Sequence, residues 1–378
     1  MKVLLLTGCY LPGYKGGGPI KTISNLVNST SNAVQYNIIT SDRDLGDQEP
    51  YSSVNIGQWN PMETNSVYYA ESGINGLINI AKIILNQDYQ VIYLNSFFSF
   101  RFSIIPLVLA IILGKRIILA PRGEFSAGAL SLKKIKKKIY ISFFKFLKFN
   151  KIIFQASSNF ESNDIKKVLG MNTKTFIAEN IGSQKFVTDL VPKNSSVLSI
   201  VFLSRISPIK NLTYALDILS KVNCSVIFDI YGPLEDKNYW QECRNIINQL
   251  PENINVSYKG ALDPNTVVDT LSKYDLFFMP TQGENYGHAI TEALCAGLPI
   301  LIANTTPWRD LYEKGIGWDI PLNESDKFID VIHNISNMTV EEHYLLRKNV
   351  LHWAKHKFSQ NVNIKKNIAM FRYAVEDK

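Results

Sequence analysis

The feature that most constrains this chain is a recurrence. Short, almost uninterrupted apolar runs alternate with segments of helical periodicity along most of the sequence. In the first half such runs fall at residues 3–7, 37–40, 67–69, 91–94, 116–120, 152–155 and 175–177. Strands that alternate between polar and apolar residues have one face in water. Continuous apolar strands are buried on both faces, as in a parallel sheet covered by helices on either side. With helical stretches between most runs, one opening on Pro19 at the favoured first-turn position, the pattern predicts repeated βαβ units and an α/β fold.

Around residues 179–196 the pattern lapses, and Pro192-Lys193-Asn194-Ser195-Ser196 has linker composition. It then restarts, with strands expected at 197–203, 226–231, 256–258, 276–279 and 300–303 and a helix at 212–221. A length of 378 residues suits two domains at roughly 100–200 residues each. The expected organisation is two Rossmann-like, doubly wound domains, 1–190 and 191–359. The stretch from about residue 340 is helical and has no strand partner. Doubly wound sheets bind ligands beyond the carboxyl ends of their strands, where strand order reverses. Two such domains facing one another would form an interdomain cleft, so the chemistry is expected in loops that follow strands.

Composition removes several classes. Hydrophobic residues make up 46% and charged residues 19%, which argues against bulk disorder. The segment after Met1-Lys2 is too short for a signal core and has no cleavage site. The longest apolar run, 104–113, falls well short of the roughly 20 residues needed to span a bilayer, so a cytosolic protein is expected. Cys9, Cys224, Cys243 and Cys295 form no CxxC pair and read as reduced, mostly buried thiols. His352 and His356 lie four apart on a helix without a further ligand, which reads as a solvated face and not a metal site.

The net charge of +7 is uneven. Lys133, Lys134, Lys136, Lys137 and Lys138 are followed by Lys145, Lys148 and Lys151, interleaved with Ile139, Tyr140, Ile141, Phe143, Phe144, Phe146, Leu147 and Phe149. A basic, aromatic-rich helix over 131–151 suits an anionic membrane surface. A packed helix with a solvated lysine end is the alternative. No nucleic-acid motif accompanies the charge, so nucleic acid is not an expected partner.

Four loops carry candidate chemistry. After the first strand come Gly16, Gly17 and Gly18 before a helix, which let backbone approach a phosphate or sugar closely. The spacing is not GxGxxG, and no acidic ribose ligand stands at the usual distance. After 116–120 come Arg122 and Glu124, suited to an anionic group and a hydroxyl, or to a pair that fixes the loop. After 197–203 come Arg205 and Lys210 just before a helix, two cations suited to a diphosphate. After 276–279 come Glu284, Gly287 and Glu292, in a stretch that ends at Gly297 and Pro299. Glu284 is expected in an open turn made by Gly283 and Gly287, and Glu292 two turns into the helix that follows. Eight positions at about 100° each leave the two carboxylates about 80° apart, so both can face one ligand.

Taken together, these residues resemble family 4 of the retaining glycosyltransferases, of GT-B architecture. The resemblance rests on Glu-x7-Glu at Glu284 and Glu292, Ser-Arg-x4-Lys-Asn at Arg205, Lys210 and Asn211, and Glu-Ala-x-x-x-Gly-x-Pro from Glu292 to Pro299. It also rests on the glycine loop. Pro121-Arg122-Gly123-Glu124 and Thr306-Pro307-Trp308 are similar to a bacterial surface-polysaccharide branch. The resemblance implies that Arg205 and Lys210 bind and stabilise the donor diphosphate. Glu292 would hold the ribose, and Glu284 the donor sugar. Backbone at Tyr286, Gly287 and His288, together with Gly17 and Gly18, would hold sugar and phosphates. Tyr258, Lys259 and Gly260 would line the base pocket. Arg122, Glu124 and Asn95 would face the acceptor, Asn95 standing where many relatives carry a His. The final helix, about 360–378, would pack back on the first domain.

The implied donor is a nucleotide sugar, UDP-linked in the commonest case, with no cofactor and no metal. The implied acceptor is a polyprenyl-diphosphate-linked or other glycan at the inner face of the plasma membrane. A nucleotide-sugar epimerase on the same scaffold and a catalytically silent sugar- or lipid-binding module are the competing readings.

Overall fold

The computed structural model describes residues 1–86, 88–131, 134–146, 152–182, 185–192, 197–359 and 361–376. The chain forms two compact units, Met1–Ile181 with Asn361–Lys378, and Gly182–Gln360.

The first unit runs β1 (Lys2–Thr7), α1 (Gly18–Thr30), β2 (Gln35–Ser41), β3 (Trp59–Met62), β4 (Asn65–Ala70), α2 (Ile74–Asn86) and β5 (Val91–Asn95). There follow α3 (Ile105–Ile112), β6 (Ile117–Ala120), α4 (Ala127–Ser131), α5 (Lys134–Phe146), β7 (Ile152–Ala156), α6 (Asn159–Leu169) and β8 (Thr175–Ile177). The sheet has the order β3-β4-β2-β1-β5-β6-β7-β8. It is parallel except for β3, which pairs antiparallel with β4 at one edge. Alternate residues of the central strands enter two separate cores. Leu4, Leu6, Ile92 and Leu94 face one core with Ile80 of α2, Leu107 of α3, Phe144 of α5 and Ile165 of α6. Val3, Leu5, Val91 and Tyr93 face the other with Ile23 and Leu26 of α1. This period of two explains why the strands read as unbroken apolar runs.

The second unit runs β9 (Leu198–Leu203), α7 (Leu212–Leu219), β10 (Val226–Tyr231), α8 (Lys237–Ile247), β11 (Ile254–Gly260) and α9 (Val267–Leu271). It continues through β12 (Leu276–Met279), α10 (His288–Cys295), β13 (Ile300–Ala303), β14 (Gly317–Ile320), α11 (Ser325–Asn337) and α12 (Val340–Ser359). Its sheet is parallel, in the order β11-β10-β9-β12-β13-β14. Arg347 of α12 is 1% exposed and binds only backbone carbonyls. Nε reaches Gly297 at 3.1 Å, Nη1 reaches Val191 at 2.7 Å and Nη2 reaches Ser272 at 2.7 Å. Ser272 caps the C-terminus of α9 and Gly297 follows that of α10, so one guanidinium satisfies carbonyls that helix ends leave open.

The division between units falls at 181/182, earlier than the 190 read from the sequence. Val187 explains this: it packs into the second core and its N–H donates to the Cys295 carbonyl at 3.1 Å. The last helix, α13 (Val362–Glu376), belongs to the first unit. Its Met370, Phe371 and Ala374 enter the second of that unit's cores, with the Phe371 ring 5.9 Å from Tyr36 and 5.4 Å from Tyr93. Asn367 donates to the Glu179 carbonyl at 2.8 Å and accepts from Gln155 at 3.3 Å.

Two strands go beyond the sequence reading. β3 contains Pro61 and pairs on one side only, and β14 opens on Gly317 at the other sheet's edge; neither produces a long apolar run. Of the expected basic helix 131–151, the described residues are helical: Ser131 lies in α4 and Lys134–Phe146 form α5. Lys133, Leu147, Lys148, Phe149 and Lys151 lie outside the described residues, as do positions 193–196 of the expected linker. Among the described residues no helix is long and apolar enough to cross a membrane.

Candidate active site

In the second sheet strand order reverses between β9 and β12, so the loops that leave their carboxyl ends diverge around a crevice. Residues 204–211 form the first loop and 280–287 the second. They are stitched together: Gln282 N–H donates to the Ile209 carbonyl at 2.8 Å, Thr281 Oγ1 to the same carbonyl at 2.9 Å, and Asn211 Nδ2 to the Pro280 carbonyl at 3.0 Å. Asn211 sits in the left-handed region at φ 60°, between a 3₁₀ turn at Pro208–Lys210 and α7. That kink directs Lys210 towards the second loop, where Nζ pairs with Glu284 Oε2. Their side chains are 11% and 18% exposed. An ion pair this sheltered keeps far more of its Coulomb energy than one in open water.

Arg205 points elsewhere, pairing with Glu235 at 2.6 Å. The two expected diphosphate cations therefore each hold a carboxylate, one sheltered and one at the surface.

Glu284 lies in the turn ahead of the helix, as expected. α10 begins at His288, so Glu292 lies one turn into it and not two, and the 80° helical-wheel separation does not apply. The intervening loop turns at Gly287, φ 82°. A Cβ there would come within 2.8 Å of Ile290 Cδ1 and 3.2 Å of Glu284 Cγ, so only glycine brings Glu284 this close to the start of α10. No side chain caps α10, and its first N–H groups have no intrahelical acceptor. Tyr286 and His288 are buried, their rings 4.9 Å apart. Trp308 Nε1 donates to the Tyr286 carbonyl at 2.6 Å. Trp308 belongs to the Thr306-Pro307-Trp308 stretch, and its ring lies 6.4 Å from Trp353 and 6.2 Å from Phe358. Nothing along the sequence marks this tryptophan as the anchor of the Glu284 loop.

At the far side of β10 the expected base-pocket residues end β11. The Tyr258 ring lies tilted against Trp240, 4.9 Å between centroids, and its hydroxyl donates to the Gly232 carbonyl at 2.8 Å. Lys259 lies 3.6 Å from Asp229, and Gly260 takes φ 79°. Asp229, which the sequence reading missed, is 8% exposed and accepts from Tyr274 at 2.7 Å. Burial, with the Tyr231 and Asp229 hydrogen bonds, pushes the Tyr274 phenol well above its ordinary pKa.

In the first sheet the order reverses between β1 and β5. The glycine loop leaves β1, held by Asp44, whose Oδ2 accepts from Tyr14 N–H at 2.8 Å and Lys15 N–H at 3.0 Å. Gly17 takes φ 59°, with no atom within 4 Å of where a Cβ would stand, and Gly18 opens α1 without a side-chain cap. Asn95 ends β5. Its Oδ1 accepts from Arg122 Nη2 at 3.0 Å and Nε at 3.2 Å, while its buried Nδ2 has no hydrogen-bond partner. Arg122, at φ 54°, also donates to Tyr93 and Asn180. All these acceptors are uncharged side-chain oxygens.

For Glu124 the sequence expectation is corrected. Oε1 accepts from Ser96 at 2.7 Å, and Oε2 from the N–H groups of Phe97 and Phe98. It fixes the turn after β5 and does not pair with Arg122. Burial raises its pKa, against the pull of these hydrogen bonds and of Lys137. Among the described residues, no group of three or more His, Cys, Asp or Glu is placed to hold a metal ion.

Residues 190–353 match the family described as glycosyl transferases group 1. No curated protein matches the sequence. Among solved structures, the chain is similar to sucrose-phosphate synthase from Thermosynechococcus elongatus, with 13% identity, TM-score 0.73 and 98% of each chain covered. It is similar to HepE from Anabaena in complex with UDP and glucose, with 16% identity, TM-score 0.69 and 98% of each chain covered. It is also similar to WaaG, a glycosyltransferase involved in lipopolysaccharide biosynthesis, with 11% identity, TM-score 0.70 and 100% of each chain covered. At these identities the likeness is one of fold: two Rossmann-like units of GT-B type.

Proposed function

We propose that this chain, whose second unit carries a group 1 glycosyltransferase domain, is a retaining glycosyltransferase of family 4. It moves a hexose-type sugar from a UDP-linked donor to a lipid-linked or oligosaccharide acceptor in bacterial surface-polysaccharide synthesis. The observation that carries the reading is the Lys210–Glu284 pair, lodged where strand order reverses and beside the uncapped start of α10. The UDP and glucose bound by HepE and the lipopolysaccharide role of WaaG support the donor and acceptor classes.

In this reading the donor diphosphate takes Lys210 and Arg205 as counter-charges and the N–H groups around Gly287 and His288 as hydrogen-bond donors. Glu284, released from Lys210, accepts from the sugar hydroxyls, and Glu292 from the ribose. Tyr258, Lys259 and Gly260 flank the base. As the C1–O bond loosens, charge gathers on the departing diphosphate, where the two cations stabilise it most. The acceptor hydroxyl attacks from the same face, and the leaving phosphate oxygen takes its proton. Arg122 and Asn95, whose Nδ2 has no hydrogen-bond partner, bind the acceptor in the first unit, Gly17 and Gly18 bring backbone N–H groups to the donor, and α5 holds the enzyme at the cytoplasmic membrane surface. The chemistry uses no divalent cation.

Thermal shift against a panel of nucleotide sugars, followed by nucleoside-diphosphate release with lipid-linked glycans, tests the proposal. Stabilisation by UDP-sugars and acceptor-dependent release are expected. Interconversion of the donor sugar without transfer, or no response to any nucleotide sugar, would overturn it.

A further inference from the structure

Between Glu71 and Glu161 the sequence holds thirteen lysines and arginines and two acids, Asp88 and Glu124. This segment alone exceeds the net charge of the whole chain, so the rest is net acidic. Of the two acids, Glu124 is turned into its loop, and the exposed Asp88 offsets only Lys115, at 3.5 Å. Three helices of the segment, α2, α3 and α5, pack on the same face of the first sheet through Ile80, Leu107 and Phe144. None of the three contains an Asp or Glu.

Their outer sides are apolar at a common spacing of four residues, which aligns side chains along one stripe of a helix. α2 exposes Ile74 and Ile78, α3 exposes Val108 and Ile112, and α5 exposes Ile139 and Phe143. Ile74 and Ile112 are each 74% exposed. Isolated exposed leucines or isoleucines are ordinary on soluble proteins, but a row of them on neighbouring helices marks a contact surface. Lys136, Lys138 and Lys145 are exposed around the α5 stripe. Lys137 turns inward instead, donating to the Ala129 carbonyl and lying over the Phe98 ring.

The geometry points to one occupant: an anionic lipid leaflet, bound by α2, α3 and α5 together. Exposed isoleucine and phenylalanine enter the boundary between headgroups and acyl chains while the lysines meet lipid phosphates. A second copy of this chain is the poorer fit, since the same patch on both partners would set two cationic surfaces face to face. The inference extends the α5 membrane reading given above from one helix to a three-helix face. It needs no donor sugar, so its test is separable from that of transfer.

The test is co-sedimentation of the full chain with vesicles of phosphatidylglycerol and phosphatidylcholine, against vesicles of phosphatidylcholine alone, at low and high salt. Binding is expected to the anionic vesicles only, weakening as salt screens the charges. Ile139→Asp with Phe143→Asp should weaken it about tenfold or more. Ile112→Asp, on α3, should weaken it several-fold, and each Lys→Gln at 136, 138 or 145 about fivefold. The thermal unfolding midpoint and far-UV circular dichroism, read on every variant without any sugar, should stay at the wild-type level and show that the variants fold. Equal binding to neutral vesicles, no binding to either, or self-association through this face in place of vesicle binding would overturn the inference. Full anionic binding by the Ile112 variant would also overturn it, because α5 alone would then suffice.

Discussion

Lys210 and Glu284 form an ion pair that bridges the loops after β9 and β12, the two strands between which the second sheet reverses its order. The pair joins two sequence motifs 74 positions apart into one sheltered charge arrangement. Each residue holds the other in place, and in the proposed reading a diphosphate sugar meets both.

Lys210→Ala removes the sheltered cation. Turnover is expected to fall by a factor of about ten to a thousand, the range for loss of one charge-stabilising group. The KM for donor should rise much less, because the charge matters most as the leaving group departs. Steady-state nucleoside-diphosphate release checks this, and unchanged kcat would remove Lys210 from the chemistry.

Glu235→Gln should act in the opposite sense. Glu235 pairs with Arg205, and in the proposed reading the donor diphosphate competes for the same guanidinium. Both side chains are about a third exposed, and such pairs contribute about 0–1 kcal/mol. Donor binding is therefore expected to tighten by up to about fivefold in a calorimetric titration. Weaker binding would show that Glu235 assists Arg205 and does not compete for it.

Chelation should leave the reaction intact. With Arg205 and Lys210 as the counter-charges, excess EDTA is expected to change turnover by less than about twofold. A loss restored by added Mg²⁺ or Mn²⁺ would assign the diphosphate charge to a metal.

Arg347→Met is predicted to be among the costliest substitutions in the second unit. It abandons buried carbonyls at Gly297, Val191 and Ser272, each carrying a desolvation cost of about 1–3 kcal/mol. A loss of about 3–5 kcal/mol is expected in denaturant unfolding. Arg347→Lys should recover only part, since an ammonium cannot reproduce the guanidinium fork.

Thiol reactivity should divide the four cysteines. Burial pushes Cys243 and Cys295 up to about 12, with Glu292 adding to the effect at Cys295. A raised thiol pKa means the neutral form persists at pH 8, and the neutral thiol is a poor nucleophile. In native protein a disulfide reagent should react promptly with the partly exposed Cys9 and Cys224, and with the other two only after denaturation. Rapid modification of all four would contradict this burial.

Much of the architecture was legible because parallel strands buried on both faces leave an unmistakable trace. β1, β5, β6, β7, β12 and β13 are short, apolar and flanked by helices. β3 and β14 escaped because an edge strand buries little, and Pro61 and Gly317 interrupt what pattern there is. The loops that carry Arg122, Arg205, Lys210 and Glu284 could be located because each follows a recognisable strand. Their internal geometry could not. That Glu292 falls one turn into α10 and not two depends on the positive φ of Gly287, which delays the helix to His288. That Glu124 serves the Ser96–Phe98 turn depends on where β5 ends in space. Arg347 was invisible because nothing along a helix of mixed charge says which arginine turns inward.

The return of α13 to the first unit bears on how the protein is made. Residues 182–360 form a contiguous unit, so every strand of its sheet has left the ribosome while α13 is still being synthesised. The amino-terminal sheet emerges first yet waits for Asn367 and Phe371 to close its core. The half translated first is therefore completed last, and until then its apolar surface around Tyr36 and Tyr93 is a site for chaperone capture or premature aggregation.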